Sequence, residues 1–150
     1  MSSSIRHANS EDLEPIMALY RQLQSDDPVL PIEDIKSAFS QILERDGLSI
    51  FVLESDGEIV SSCYLNIIPN LTRSARPYAL IENVVTLESM RGWGFGKQVI
   101  QHAIQAAWEA GCYKVMLMTG SKNPKTHAFY RACGFNGDEK QGYIIRAPGK

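Results

Sequence analysis

The sequence predicts an α/β (α+β) fold, a mixed central sheet of about six to seven strands flanked by about four helices. Apolar residues recur at helical spacing in residues 10–24, 32–45 and 96–110. Two strand-like runs, LSIFVLE and EIVSSCYLNII, flank the turn Ser55-Asp56-Gly57. The C-terminal half then alternates between apolar runs and helix patterns.

In order along the chain, Leu13, Ile16, Met17, Tyr20 and Leu23 form one helix stripe, with Asn9 or Ser10 as cap and Glu11, Asp12 and Glu14 near the positive end of its dipole. Ile35, Phe39, Ile42 and Leu43 mark a second helix, which Gly47 stops. The hairpin follows, and after the polar loop PNLTRSARP comes YALIENVVTL, apolar on both faces and hence a central strand. Val99, Ile100, Ala103, Ile104, Ala107 and Trp108 define a helix packed on the sheet, closed by Gly111. KVMLMT reads as a buried strand, Pro124 to Cys133 as a short helix and GYIIRA as a last strand.

With 150 residues and no linker or repeat, residues 1–150 read as a single domain. A hydrophobic share of 44% and a net charge of −2 give no general attraction to nucleic acid or an anionic membrane, so an anionic ligand needs a local site. Cys63, Cys112 and Cys133 are odd in number and widely spaced, the pattern of free thiols in a reducing compartment. The N-terminus lacks the apolar core of a secretory signal and no run is long enough to span a membrane, so the expected location is the cytoplasm. His7, His102 and His127 are isolated from one another and from cysteine pairs, so no metal site is expected.

The segment Met90-Arg91-Gly92-Trp93-Gly94-Phe95-Gly96-Lys97 lies between a strand and a helix. Bare backbone at a helix N-terminus exposes unpaired N–H groups to an anion such as a phosphate, and Arg91 and Lys97 add charge. A tight connector is the alternative reading. The spacing matches neither a dinucleotide fingerprint, which needs Gly-x-Gly-x-x-Gly and a later acid, nor a phosphate loop, since Lys97 is followed by Gln98.

Arg91-Gly92-Trp93-Gly94-Phe95-Gly96 resembles the Arg/Gln-x-x-Gly-x-Gly/Ala motif of the GNAT superfamily of N-acetyltransferases, and NPKTHAFYRACGF supplies that family's tyrosine before Gly-Phe, with Asn123 ahead of Tyr130, Gly134 and Phe135. The two motifs stand in the family's order, one helix and one strand apart. The resemblance implies a GNAT-like sheet and an enzyme that transfers acetyl from acetyl-CoA to a primary amine of a small molecule by direct attack in a ternary complex. It places the pyrophosphate on the amides of Arg91, Gly92, Trp93, Gly94, Phe95, Gly96 and Lys97. Val84, Val85 and Thr86 would splay from KVMLMT and pair with the pantetheine arm, leaving a backbone N–H near Val85 for the thioester oxygen.

Tyr130 matches the family's tyrosine near the sulfur and is the candidate general acid; filling a helix face beside Phe129 is its other reading. Asn123 either bonds the pantetheine or caps the short helix. Glu82, the one acid in YALIENVVTL, is the candidate base, directly or through water; otherwise it is a surface or paired carboxylate. Alternation puts Glu82, Val84 and Thr86 on one face. Ile81-Glu82-Asn83-Val84-Val85 is similar to the strand of glucosamine-6-phosphate N-acetyltransferases that carries an acidic pair; Asn83 and Met118-Thr119 depart from those enzymes, which leaves the acceptor open. Two charged loops, with Asp26 and Asp27 and with Arg73 and Arg76, are the candidate acceptor contacts, although such charges are more often only solvated. The other readings are a protein N-acetyltransferase and a silent acyl-CoA-binding module, and a homodimer is compatible with any of these.

Overall fold

A computed structural model describes residues 2–149, and the chain divides into two compact units, Met1–Leu117 and Met118–Lys150. The first holds a sheet in the order β1 (Ser3–His7), β2 (Leu48–Ser55), β3 (Glu58–Ile68), β4 (Tyr78–Thr86), β5 (Val115–Met116). Neighbours from β1 to β4 are antiparallel, and β5 joins β4 in parallel. The DG turn places Asp56 and Gly57 at φ of 51° and 85°, the left-handed pair that a two-residue hairpin needs.

Helices α1 (Leu13–Leu23) and α2 (Ile32–Glu44) cover one face, where Leu13, Ile16 and Phe39 meet Ile50 and Val52, with Tyr20 and Tyr64 packed at the margin. The other face receives α4 (Phe95–Glu109), whose Val99, Ile100, Ala103 and Ala107 are fully buried. Cys63 points to that side, its thiol 3.7 Å from the Val99 carbonyl, while its neighbour Tyr64 points to α1 and α2. Each fully buried Ile or Leu here contributes about 1.5–3 kcal/mol by leaving water.

Between β3 and β4 lies a four-residue turn, α3 (Thr72–Ala75), in which Arg73, Ser74 and Ala75 have φ of 53°, 62° and 58°. Its sense is left-handed, which costs non-glycine residues about 1–2 kcal/mol each. The second unit contains α5 (Pro124–Ala132), capped by Asn123, whose Oδ1 accepts the Lys125 N–H at 2.9 Å. Among the described residues no helix is long and apolar enough to cross a membrane.

Among the described residues five strands replace the expected six to seven. KVMLMT shortens to Val115–Met116, and GYIIRA forms no strand, with Tyr143, Ile144 and Ile145 at 88%, 72% and 96% exposure. Apolar alternation marks a segment able to pair, but a strand exists only where a neighbour completes its ladder. The reverse also occurs. Ser3–His7, nearly all polar, becomes β1 because the edge of β2 supplies partners for all five residues.

Charge pairing anchors that first strand. Arg6 donates to both carboxylate oxygens of Asp12, at 2.7 and 3.0 Å, and through Nε to Glu54 at 3.0 Å. Asp12 is only 6% exposed and also accepts the Asn9 N–H at 2.7 Å. The Arg6 guanidinium holds the Asp12 carboxyl below its ordinary range, the Asn9 amide adding to the effect and burial opposing it.

Candidate functional site

The glycine segment forms the start of α4. Gly94, the residue before the helix, has φ 83° and Gly92 φ 88°, a left-handed backbone that glycine adopts without strain. The first bond within the helix runs from the Gln98 N–H to the Gly94 carbonyl at 3.1 Å, and no side chain caps the end. The N–H groups of Phe95, Gly96 and Lys97 therefore lack intrahelical acceptors and lie at the positive end of a 15-residue helix dipole. Arg91, Gly92, Trp93, Gly94 and Lys97 are all exposed around them. Arg91 also ties the segment to the preceding strand, its Nε donating to the Thr86 carbonyl at 3.3 Å.

Phe95 contributes differently from its neighbours. Its ring is 5% exposed and packs with Leu53 and Val60, so only its backbone N–H is available to a ligand. A large apolar side chain locks the base of the loop into the core while the glycines beside it stay open.

Strand β4 ends next to this segment, and its geometry corrects the simple alternation expected of it. Tyr64 pairs with Glu82 and Ser62 with Val85, so Asn83 and Val84 together oppose the single residue Cys63. This is a β-bulge, and Asn83 takes φ 52° to make it. The extra residue shifts the phase. Glu82 now shares a face with Val85, toward α1 and α2, while Thr86 lies on the α4 side, where its hydroxyl meets that of Ser61 at 2.9 Å. Glu82 and Asn83 are consecutive exposed residues, which an uninterrupted half-buried strand does not produce.

On its other edge β4 pairs with β5 through Ala79 and Leu80 alone. From Ile81 to Thr86, among the described residues, no strand completes that edge. A row of backbone donors and acceptors thus leads toward the α4 N-terminus, open to an amide-bearing ligand laid along it.

Arg73 and Arg76 lie elsewhere. Their guanidinium carbons sit 5.9 and 5.5 Å from the Tyr113 ring centre, and the Lys114 ammonium lies 5.2 Å from the same ring. That cluster flanks Tyr78, the first residue of β4, about 13 Å of extended chain before Glu82 at roughly 3.3 Å per residue. Asp26 and Asp27 are exposed on the loop between α1 and α2. In the second unit, Tyr130 is half-buried, with its ring edge-on to Phe129 at 5.2 Å and to Phe135 at 6.3 Å. Asn123 is spent on its helix cap by its Oδ1, leaving its side-chain NH2 outward. No group of three or more His, Cys, Asp or Glu side chains gathers at metal-binding distance among the described residues.

Two features of the site were absent from the sequence reading: the bulge at Asn83 and the approach of Tyr20 from α1. The mid-strand dipeptide Glu82-Asn83 was the available signal, since both types disfavour strands.

The fold is shared with solved structures described as acetyltransferases. A putative acetyltransferase from Agrobacterium tumefaciens superposes with a TM-score of 0.92 at 49% identity, over 96% of this chain and 99% of that one. Residues 13–135 match the acetyltransferase (GNAT) family, to which the chain belongs; it is an N-acetyltransferase. Among relatives, glucosamine 6-phosphate N-acetyltransferase of Trypanosoma brucei brucei is 32% identical over 139 residues, 91% of each chain. Aminoalkylphosphonate N-acetyltransferase of Salmonella typhimurium is 28% identical over 131 residues, 87% of this chain and 83% of that one.

Proposed function

We propose that this enzyme transfers acetyl from acetyl-CoA to the primary amine of a small, anionic acceptor by direct attack in a ternary complex. The observation that carries the donor half is the uncapped α4 N-terminus, with Gly92 and Gly94 at positive φ, directly after the half-open strand β4. The unpaired N–H groups of Phe95, Gly96 and Lys97 suit a pyrophosphate, and Arg91 and Lys97 add charge to them. The free edge of Val84 to Thr86 suits the pantetheine amides, and it ends where a backbone N–H near Val85 can receive charge developing on the thioester oxygen. Bound acetyl-CoA supplies the activated acyl carbon.

This chain's residues then handle the protons. Glu82, exposed on the α1 side of the bulge, takes the proton that the amine sheds, directly or through one water. Tyr130 gives a proton to the departing thiolate and Asn123 uses its free amide on the pantetheine, assignments that rest on the motif resemblance. The acceptor class is drawn from two relatives whose named substrates are amines carrying a phosphate or a phosphonate. Thiol release from acetyl-CoA tests the reading, across glucosamine 6-phosphate, 2-aminoethylphosphonate, polyamines, amino acids and peptides. Turnover with an anionic small amine is expected; turnover with peptides alone would replace it with a protein N-acetyltransferase.

A further inference from the structure

The bulge in β4 has a polar group buried behind it. The Tyr20 hydroxyl, brought in by α1, is inaccessible to water and makes no well-formed hydrogen bond. A buried hydroxyl without a partner is costly, on the order of 1–3 kcal/mol. The side chain facing it is Asn83, near enough to ease the burial that pushes the phenol up to about 12, though short of full hydrogen-bond geometry. Asn83 itself is exposed. Its carboxamide thus reaches from a dry hydroxyl to solvent, immediately beside Glu82, the cross-strand partner of Tyr64.

A non-glycine residue at φ 52° in mid-strand is a strained choice, tolerated best by Asn and Asp and relieved entirely by glycine. Glycine would serve if the bend were all that mattered here.

We infer that Asn83 is a specificity-determining residue that holds the acceptor amine. Its amide NH2 turns inward to the Tyr20 oxygen, so its Oδ1 faces outward and accepts one N–H of the nucleophile while Glu82 engages the other. Two acceptors at adjacent positions leave the nitrogen lone pair as the group directed away from the strand. A primary amine satisfies both acceptors and keeps its lone pair; a secondary amine leaves one of them unfilled. Tyr20, out of reach of substrate, is a positioning residue for the Asn83 amide. The inference rests on the amine-transfer reading above.

The test is kinetic. Asn83→Gly keeps the left-handed bend and removes the amide, so its thermal midpoint and acetyl-CoA KM should match or exceed those of the parent protein. Its kcat/KM for 2-aminoethylphosphonate or glucosamine 6-phosphate should fall about tenfold. Its preference for 2-aminoethylphosphonate over the N-methyl secondary amine should shrink toward unity. Asn83→Asp restores an outward oxygen and should recover part of the preference. Tyr20→Phe should raise the amine KM several-fold with no loss of thermal stability, an effect that a purely packing tyrosine would not give. Parent-like amine kinetics and selectivity in Asn83→Gly, with an active parent protein, would overturn this inference alone. A parent protein that binds CoA yet acetylates no amine would overturn the amine-transfer reading and this one with it.

Discussion

Alanine at Gly94 separates backbone strain from ligand contact, because Gly57 provides a matched control. Gly94 and Gly57 have φ of 83° and 85°, and an added Cβ at either meets little: Gln98 Nε2 at 4.0 Å for Gly94 and nothing within 4 Å for Gly57. Either alanine therefore costs about 1–2 kcal/mol of left-handed strain and little steric clash. At about 2–4 °C per kcal/mol for a chain of this size, both variants should lose roughly 2–8 °C in Tm. Only Gly94 borders the unpaired N–H groups of α4. Relaxing its strain re-aims those donors, and a lost hydrogen bond to a charged phosphate oxygen is worth about 1.5–3 kcal/mol. Gly94→Ala should accordingly weaken CoA by about 10- to 100-fold in titration calorimetry, whereas Gly57→Ala leaves Kd alone. Equal CoA affinity in the two variants, with both equally destabilised, would refute the anion cradle and leave the glycines as a connector.

Three further outcomes are expected. Arg6→Ala strands the Asp12 carboxylate and should cost about 2 kcal/mol in urea unfolding, discounted because the Arg6 side chain is 35% exposed. Because Asp12 is held below its ordinary pKa, the pairing stabilises fully above the usual carboxylate range and fades as pH falls through the lowered value. The Arg6 variant should therefore show a flatter acid limb than the parent protein, and an identical limb would remove Asp12 from the account. Tyr130→Phe should lower kcat by about 100-fold with CoA affinity unchanged; full activity would end its role as the acid. Burial pushes the Cys63 thiol up to about 12 and also raises Cys112, so the native protein should resist a thiol reagent at pH 8 until denaturant is added. Rapid labelling of Cys63 in the folded protein would contradict its packing.

The sequence by itself determined the elements whose signal is local. Helical periodicity gave α1, α2 and α4 to within a residue or two outside the 3-10 turn Ser10–Asp12, and Asp56-Gly57 gave the hairpin. The glycine segment and its helix were legible for the same reason, since φ preference and orphan N–H groups belong to a single turn of chain. Pairing is not local, and there the tertiary structure decided. Polar Ser3–His7 became a strand because β2 offered an edge, while apolar GYIIRA did not become one. One extra residue opposite Cys63 reversed which face Thr86 and Val85 occupy relative to Glu82. Arg73 and Arg76 were drawn to Tyr113, a residue about 40 positions along the chain that periodicity has no means of placing beside them. Tyr20 reads as one more apolar-stripe position in its helix. Only the packing of α1 on the bulged strand turns its hydroxyl toward Asn83, because register and helix docking are set by which surfaces exclude water together.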